Sequence, residues 1–178
     1  MRLSRLRVPL GYAAFALVVL LARPRVLSLA AGIAIAALGE GVRIWASGHI
    51  EKTERLATGG PYAHTRNPLY VGSALLGLGV AVASAGLWVV VAVAAYFAAL
   101  YPAVIREESA FLAGRFPEEY AAWAREVPAF LPRLRPAGPR ATRFDWRRVK
   151  ANREWRTAAA LPVVAALMGL LSCWVAPK

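Results

Sequence analysis

The chain contains very few residues of the types that build disulfides and metal sites. It has one cysteine and two histidines among 178 residues. A single cysteine excludes an internal disulfide and a thiolate metal cluster, and two histidines are too few for a metal site built from histidine. Acidic residues are also scarce, with 10 Asp and Glu against 22 Lys and Arg.

Charged residues are missing altogether between Leu69 and Ile105. One membrane crossing needs about 20 apolar residues, so this longer run is predicted to cross twice and to turn at residues 84–86, where small residues favour a turn. Further apolar segments are 8–22, 26–46 and 157–176. The sequence therefore predicts an all-α fold, a polytopic membrane helix bundle with about five transmembrane helices and a cytosolic interfacial helix.

The formal charge of +12 raises the question of nucleic-acid binding. Half of the Lys and Arg residues lie within 106–153, beside two predicted membrane segments, and three more precede residue 8. This distribution follows the positive-inside rule, which places the amino terminus, the 47–67 loop and the 106–156 region on the cytosolic side. The charge is therefore assigned to membrane orientation, and no nucleic-acid partner is predicted.

The interfacial helix is predicted to begin at residue 117. Proline followed by two glutamates is a typical helix start. An apolar stripe with helical spacing runs through the segment. It consists of Phe116, Tyr120, Trp123 and Val127. Beside membrane helices, such an amphipathic helix either lies in the interface or covers a cytosolic pocket.

Ionisable residues also occur inside an apolar segment, at Glu40 and Arg43. Three residues apart on a helix, they share a face and are predicted to pair. Charged groups at membrane depth are unfavourable unless they are paired or functional. Two interpretations stay open: Glu40 neutralises an arginine near the interface, or the pair has a function of its own.

Two polar clusters bracket the uncharged run. The first cluster contains Tyr62, His64, Arg66, Asn67 and Tyr70, and the second contains Arg106, Glu107 and Glu108. The arms of a tight hairpin are antiparallel neighbours, so the clusters are expected to meet at one membrane surface. Their carboxylate, guanidinium, amide and aromatic groups can bind a zwitterionic molecule. The two successive glutamates point about 100° apart on a helix, so they cannot address the same ligand atom.

These motifs resemble the isoprenylcysteine carboxyl methyltransferase and phospholipid methyltransferase family of integral membrane enzymes. The resemblance covers roughly residues 50–135. Its motifs are Gly60-Pro61-Tyr62, Arg66-Asn67-Pro68-Leu69-Tyr70-Val71-Gly72, Arg106-Glu107-Glu108, Phe116-Pro117-Glu118-Glu119-Tyr120 and Pro132. Isoprenylcysteine enzymes usually carry histidine where Asn67 stands, and asparagine there is nearer to the phospholipid branch.

The resemblance implies S-adenosylmethionine as cofactor, no metal, and methylation of a lipophilic acceptor at the cytosolic face. The acceptor would be an isoprenylcysteine-type carboxylate or a phospholipid amine that enters from the bilayer. The implied cofactor-binding residues are Tyr62, His64, Asn67, Pro68, Tyr70, Gly72, Glu107 and Glu108. The implied catalytic residues are Arg66, Arg106 and Glu108. Either arginine would hold an anionic acceptor.

The expected organisation is a single membrane domain over 1–178, with a methyltransferase core at 50–135 and a C-terminal transmembrane helix at 157–176. The basic interfacial segment between them, 136–156, mixes aromatic and basic residues and is expected to contact anionic headgroups. The last helix completes the bundle, gates substrate entry or forms an oligomer contact, and no oligomeric state is assigned. Richness in Ala, Arg and Gly indicates a GC-rich bacterial genome, so the predicted location is a bacterial inner membrane.

Two other functions stay open at this point. Sterol reductases have a related topology and use NADPH, whose phosphates the basic 140–156 segment would bind. A non-enzymatic lipid-binding membrane scaffold would use the polar clusters only to anchor its helices. Binding of nucleotide analogues separates the reductase from the methyltransferase, and tolerance of alanine at Asn67 and Glu108 identifies a scaffold.

Overall fold

The computed structural model describes Val18 and residues 21–51, 54–138 and 142–175. This part of the chain forms α-helices joined by turns and loops, without any strand, which confirms the all-α prediction. The helices are α1 (Val26–Ser47), α2 (Pro68–Ser84), α3 (Leu87–Arg115), α4 (Pro117–Glu126), α5 (Trp146–Ala151) and α6 (Trp155–Val175). A 3-10 turn, Gly60–Ala63, lies between α1 and α2.

Three of the described helices, α1, α3 and α6, are long and apolar enough to cross a membrane. Helix α2 is also apolar but has only 17 residues. The predicted first segment, 8–22, falls largely outside the described residues. A membrane helix bundle is therefore supported, whereas the count of about five transmembrane helices is not confirmed.

The predicted hairpin is confirmed at the expected turn. Helix α2 begins at Pro68, a first-turn position where the missing N–H of proline leaves no hydrogen bond unmade. It ends at Ser84, and Ala85 adopts a left-handed conformation with φ of 51° before α3 begins. Helix α3 then continues beyond the uncharged run to Arg115, so the acidic pair at 107–108 lies on a helix, as expected.

The chain divides into two compact units. The first comprises Met1–Leu38, Ala74–Val104 and Ala158–Lys178. Its apolar core contains Val18, Ala22, Ala81, Val89 and Met168. Within this unit, α1 and α2 approach closely at two glycines, because a Cβ on Gly79 would lie 2.6 Å from the carbonyl oxygen of Gly32.

The second unit comprises Gly39–Ser73 and Ile105–Thr157 and carries every candidate site residue. Its core contains Ala46, Leu56, Tyr62, Tyr120, Trp123 and Val127. The predicted amphipathic helix is confirmed as α4, which buries Tyr120 and Trp123. The indole Nε1 of Trp123 donates a 3.0 Å hydrogen bond to the carbonyl oxygen of Tyr62 and so joins α4 to the 3-10 turn.

A polar cluster centred on Arg43 lies in the second unit. The predicted partner Glu40 is 3.9 Å away, but Glu154 is closer, at 2.7 Å from both Nε and Nη2 of the arginine. Arg43 also donates from Nη1 to the hydroxyl of Ser73 at 2.5 Å. The cluster therefore ties α1 and α2 to the turn that precedes α6, a link that the sequence did not reveal.

Candidate functional site

A cavity of about 350 Å³ lies within the second unit, a volume in the range of small-molecule sites. Apolar residues form much of its wall, among them Leu56, Leu69, Phe111, Leu112, Phe116 and Trp123. Its charged and hydroxyl-bearing residues are Glu51, Arg55, Tyr62, Arg66 and Glu108. We call this space the site cavity. It brings together three of the predicted site residues, namely Tyr62, Arg66 and Glu108.

The two polar clusters meet beside the site cavity, as the hairpin predicted. The hydroxyl of Tyr70, in the first turn of α2, donates a 2.7 Å hydrogen bond to Oε2 of Glu108 on α3. The glutamate is solvent-exposed and lines the cavity. The bond therefore orients a carboxylate that a ligand can still reach.

Tyr62 is the most buried of the three predicted residues that line the cavity, with 7% of its surface exposed. Burial raises the pKa of its phenol well above the ordinary value, and the nearby charge of Glu108 shifts it in the same direction. The phenol is therefore neutral at physiological pH. It can donate a hydrogen bond to a ligand in the cavity.

Arg66 supplies a fixed cation at the same cavity. Its Nη1 donates a 2.9 Å hydrogen bond to the Tyr120 hydroxyl, and its guanidinium carbon lies 5.7 Å from the centre of that ring. The buried Nε finds no hydrogen-bond partner among the described residues. A buried N–H without a partner is unfavourable, so an anionic ligand group at Nε would remove this cost.

His64 and Asn67 make a different set of contacts. Nδ2 of Asn67 donates to the carbonyl oxygen of Ala129 at 2.7 Å, and Nδ1 of His64 lies 2.8 Å from that of Arg133. Between them, the hydroxyl of Thr65 donates to the carbonyl oxygen of Phe130 at 2.9 Å. These side chains hold the loop that follows α4, and neither His64 nor Asn67 lines the site cavity. Their cofactor-binding roles stay predictions.

The remaining candidates lie away from the cavity wall. Pro68 is buried at the start of α2, and Gly72 is packed against α1, where a Cβ would lie 2.7 Å from the carbonyl oxygen of Gly39. Arg106 and Glu107 are exposed on α3 and do not line the cavity. The structure thus gives Pro68 and Gly72 packing contacts. The ligand-binding roles of these four residues also stay predictions.

Sequence reasoning missed two charged residues of the cavity wall, Glu51 and Arg55. Glu51 lines the cavity and pairs with Arg148, which is 97 residues further along the chain. No spacing rule connects residues so far apart, so the pattern held no signal for this pair. Phe116 and Trp123 also line the cavity, and for these the predicted apolar stripe of α4 was a usable signal.

The site can therefore bind a ligand that has charges of both signs and an apolar part. Glu108 offers an acceptor, Tyr62 a neutral donor and Arg66 a cation, while the wall is largely apolar and aromatic. In the described ranges, no three or more His, Cys, Asp or Glu residues are grouped so that they could hold a metal ion. A cavity wall that combines apolar side chains with a few charged and hydroxyl groups is typical of small-molecule and cofactor sites.

The sequence was compared with protein families and with curated proteins, and it matches one family. The family model described as "Phospholipid methyltransferase" matches residues 10–119. The chain is 47% identical over 107 residues to the "Cobalt-zinc-cadmium resistance protein CzcN" of Cupriavidus metallidurans, and 42% identical over 107 residues to the "Nickel-cobalt-cadmium resistance protein NccN" of Alcaligenes xylosoxydans xylosoxydans.

Both alignments cover 58% of this chain and 47% of the relative, so the chain spans about half the length of the curated relatives it matches. No solved structure matches the chain. The family model covers more than half of the sequence and includes the 3-10 turn, the hairpin and the three predicted residues that line the site cavity. The chain belongs to the phospholipid methyltransferase family.

Proposed function

We propose that the chain is a bacterial integral membrane methyltransferase that uses S-adenosylmethionine and methylates a lipophilic acceptor at the site cavity. One observation carries the proposal: Tyr62, Arg66 and Glu108 line the same cavity, and each was expected at the site from the family resemblance. Family membership supports methyl transfer. The three long apolar helices support a membrane location, and we place the active site on the cytosolic side.

The residues of the site cavity fit the cofactor. S-adenosylmethionine carries a carboxylate, an ammonium group and an adenine ring, and when bound it supplies a methyl group already activated by a sulfonium. Arg66 would bind the carboxylate through its buried Nε, which needs an acceptor. Glu108 would accept a hydrogen bond from the ammonium group, and the apolar wall would contact the ring.

The protein's contribution would be positioning and exclusion of water, because the transferred group is reactive before it binds. Glu108 is held by Tyr70 and therefore loses little freedom when it binds a ligand. The neutral phenol of Tyr62 would donate a hydrogen bond without adding charge. The apolar wall would keep water from competing with the acceptor.

We propose a phospholipid amine as the acceptor, with an isoprenylcysteine-type carboxylate as the alternative. The family description and the accessible carboxylate of Glu108 support a cationic headgroup. An amine must release a proton before it can attack, and we propose that a carboxylate oxygen of Glu108 takes up that proton. A carboxylate acceptor would need no base and would be bound by Arg66.

Calorimetric titration of S-adenosylhomocysteine into detergent-purified protein tests the cofactor. Micromolar binding is expected for wild type, weaker by roughly tenfold or more in Glu108→Gln and unchanged in Glu119→Gln. Glu119 is an exposed carboxylate on α4 that does not line the cavity, so it is a matched control. Folded wild type that binds NADPH and not S-adenosylhomocysteine would favour the reductase. Protein that binds neither would favour the scaffold.

A second assay tests the acceptor. The protein is reconstituted with radiolabelled S-adenosylmethionine and either phosphatidylethanolamine or a farnesylated cysteine analogue, and label in the extracted lipid is counted. Label in the phospholipid is expected. Label in the cysteine analogue alone would replace the amine acceptor by a carboxylate while leaving the methyltransferase assignment in place.

A further inference from the structure

In the segment 142–156, most of the cationic side chains are exposed, whereas both acidic side chains are engaged by other groups of the protein. It contains six Lys and Arg and two acidic residues. Oδ1 of Asp145 accepts a 2.8 Å hydrogen bond from the backbone N–H of Arg147 and so caps α5. The carboxylate of Glu154 is buried against Arg43. The acids of the segment therefore do little to neutralise its outer side.

The cations divide by their contacts. Arg148 is engaged by Glu51 of the cavity wall. In contrast, Arg147, Lys150 and Arg153 are exposed and form no ion pair with any acidic side chain that the structure describes. Arg156 is also exposed, with its guanidinium carbon 5.6 Å from the centre of the Trp155 ring. These four cationic side chains are thus available to an anionic partner, as is Arg143, which is exposed at the start of the segment.

Two tryptophans lie among these cations. Trp146 is 68% exposed and Trp155 is 55% exposed. Trp155 is also the first residue of α6, a helix long and apolar enough to cross a membrane. Tryptophan is enriched where membrane helices reach the headgroup level. Exposed indoles beside unpaired cations at the start of such a helix fit a lipid headgroup better than a soluble partner.

We propose that this surface, made of Trp146, Arg147, Lys150, Arg153, Trp155 and Arg156, binds the anionic headgroups of phospholipids in the surrounding bilayer. We call it the headgroup surface. Positive charge next to a membrane helix attracts anionic lipids. The indoles contribute contact with the acyl boundary. The proposal is independent of methyl transfer.

The headgroup surface is preformed, because the inner side of its segment is fixed to residues 47–51. The backbone N–H of Asp145 donates to the carbonyl oxygen of Gly48 at 3.0 Å, and Nδ2 of Asn152 donates to that of Ser47 at 2.9 Å. With the Arg148–Glu51 pair, these bonds hold the backbone between them in place. A rigid surface loses less entropy on binding than a flexible basic tail would.

The test uses the full chain in nanodiscs that contain brominated phosphatidylglycerol or brominated phosphatidylcholine, because bromine quenches nearby tryptophan fluorescence. Wild type should be quenched more by the anionic lipid, and Trp146→Phe/Trp155→Phe should lose that difference. R147Q/K150Q/R153Q should also lose most of it. The matched control R25Q/R125Q/R135Q removes the same charge at exposed positions outside the headgroup surface. It should keep the difference in quenching between the two lipids.

Raising the salt to about 1 M, where the screening length is near 3 Å, should reduce the difference for wild type. Equal quenching of wild type by the two lipids would overturn the proposal. Full retention of the difference in the triple variant would also overturn it. If the triple variant loses its helical circular dichroism, the single variant Lys150→Gln replaces it, and a partial loss of the difference is then expected.

Discussion

Tyr70 and Glu108 are 38 residues apart in the chain and are joined by a 2.7 Å hydrogen bond. The bond links the first turn of α2 to the part of α3 that lies beyond the uncharged run. Of the two adjacent glutamates, the bond involves Glu108, which lines the site cavity, and not Glu107, which does not. The hairpin thus places one of two neighbouring carboxylates at the site cavity.

Glu108→Gln is therefore expected to weaken binding of S-adenosylhomocysteine more than Glu107→Gln. Charged hydrogen bonds contribute about 1.5–3 kcal/mol, which corresponds to roughly tenfold or more in affinity. Tyr70→Phe should have a smaller effect, since it removes only the group that orients the carboxylate. Calorimetry on the three variants measures this. A larger loss in Glu107→Gln would reverse the assignment of the two residues.

Gly72→Ala should destabilise the folded protein. The added Cβ would lie 2.5 Å from Cγ of Arg43 and 2.7 Å from the backbone oxygen of Gly39, so α1 and α2 would have to shift. Overpacking of this kind destabilises by about 1–3 kcal/mol. The measurement is the midpoint of thermal unfolding in detergent.

The matched control is Gly41→Ala, in α1. A Cβ at Gly41 would meet nothing within 4 Å, and alanine stabilises a helix interior relative to glycine by about 0.5–1 kcal/mol. The two alanine variants should therefore shift the unfolding midpoint in opposite directions. Shifts of the same sign would show that Gly72 does not set the approach of the helices.

Arg43→Gln should destabilise the protein strongly, because the buried carboxylates of Glu40 and Glu154 would lose their common cation. Removal of one partner from a buried ion pair typically costs about 3–5 kcal/mol. Adding Glu154→Gln should recover part of the loss by removing one uncompensated charge. The measurement is again thermal unfolding, and a double variant no more stable than Arg43→Gln would contradict this account of the cluster.

Tyr62 should make the stability of the protein depend on alkaline pH. Its pKa is raised in the folded chain, whereas an unfolded tyrosine titrates near pH 10. Above pH 10 the unfolded state releases a proton that the folded state keeps. The contribution of the buried Tyr62 phenol to the free energy of unfolding is therefore complete below pH 10. It is lost as the pH rises further, by up to about 1.4 kcal/mol per pH unit.

Unfolding of wild type and Tyr62→Phe is measured between about pH 8 and about pH 11, because this range includes the reference pKa of tyrosine, about 10. The free energy of unfolding should fall more steeply for wild type above pH 10, since the variant has no phenol at this position. Equal slopes for the two proteins would mean that the phenol is not held neutral by burial.

The local features of the fold followed from the sequence for identifiable reasons. Pro68 marked the start of α2, and a charge-free run too long for one helix marked the hairpin. The contact between Tyr70 and Glu108 followed from that hairpin, because its two arms must be adjacent. Periodic apolar spacing likewise predicted the buried face of α4.

Other contacts left no local trace in the sequence. The pairs Arg43–Glu154 and Glu51–Arg148 join residues 111 and 97 positions apart, and their sequence neighbours would look the same without the partner. Gly72 was expected beside the cofactor on account of its motif, and the structure shows it packed against the backbone of α1. A motif identifies which residues belong together without giving the direction in which each one points.

The bonds between residues 64–67 and the loop after α4 have an evolutionary consequence. The side chains of His64, Thr65 and Asn67 contact main-chain carbonyl oxygens of residues 129–133. Main-chain groups add to these bonds, because the N–H of Arg66 donates to the carbonyl oxygen of Pro128 and the N–H of Arg133 donates to that of His64. Every amino acid supplies the same carbonyl. Apart from Pro132, which belongs to the family motifs, the loop should therefore be able to change in sequence and keep its shape, whereas the three anchoring side chains should tolerate little substitution.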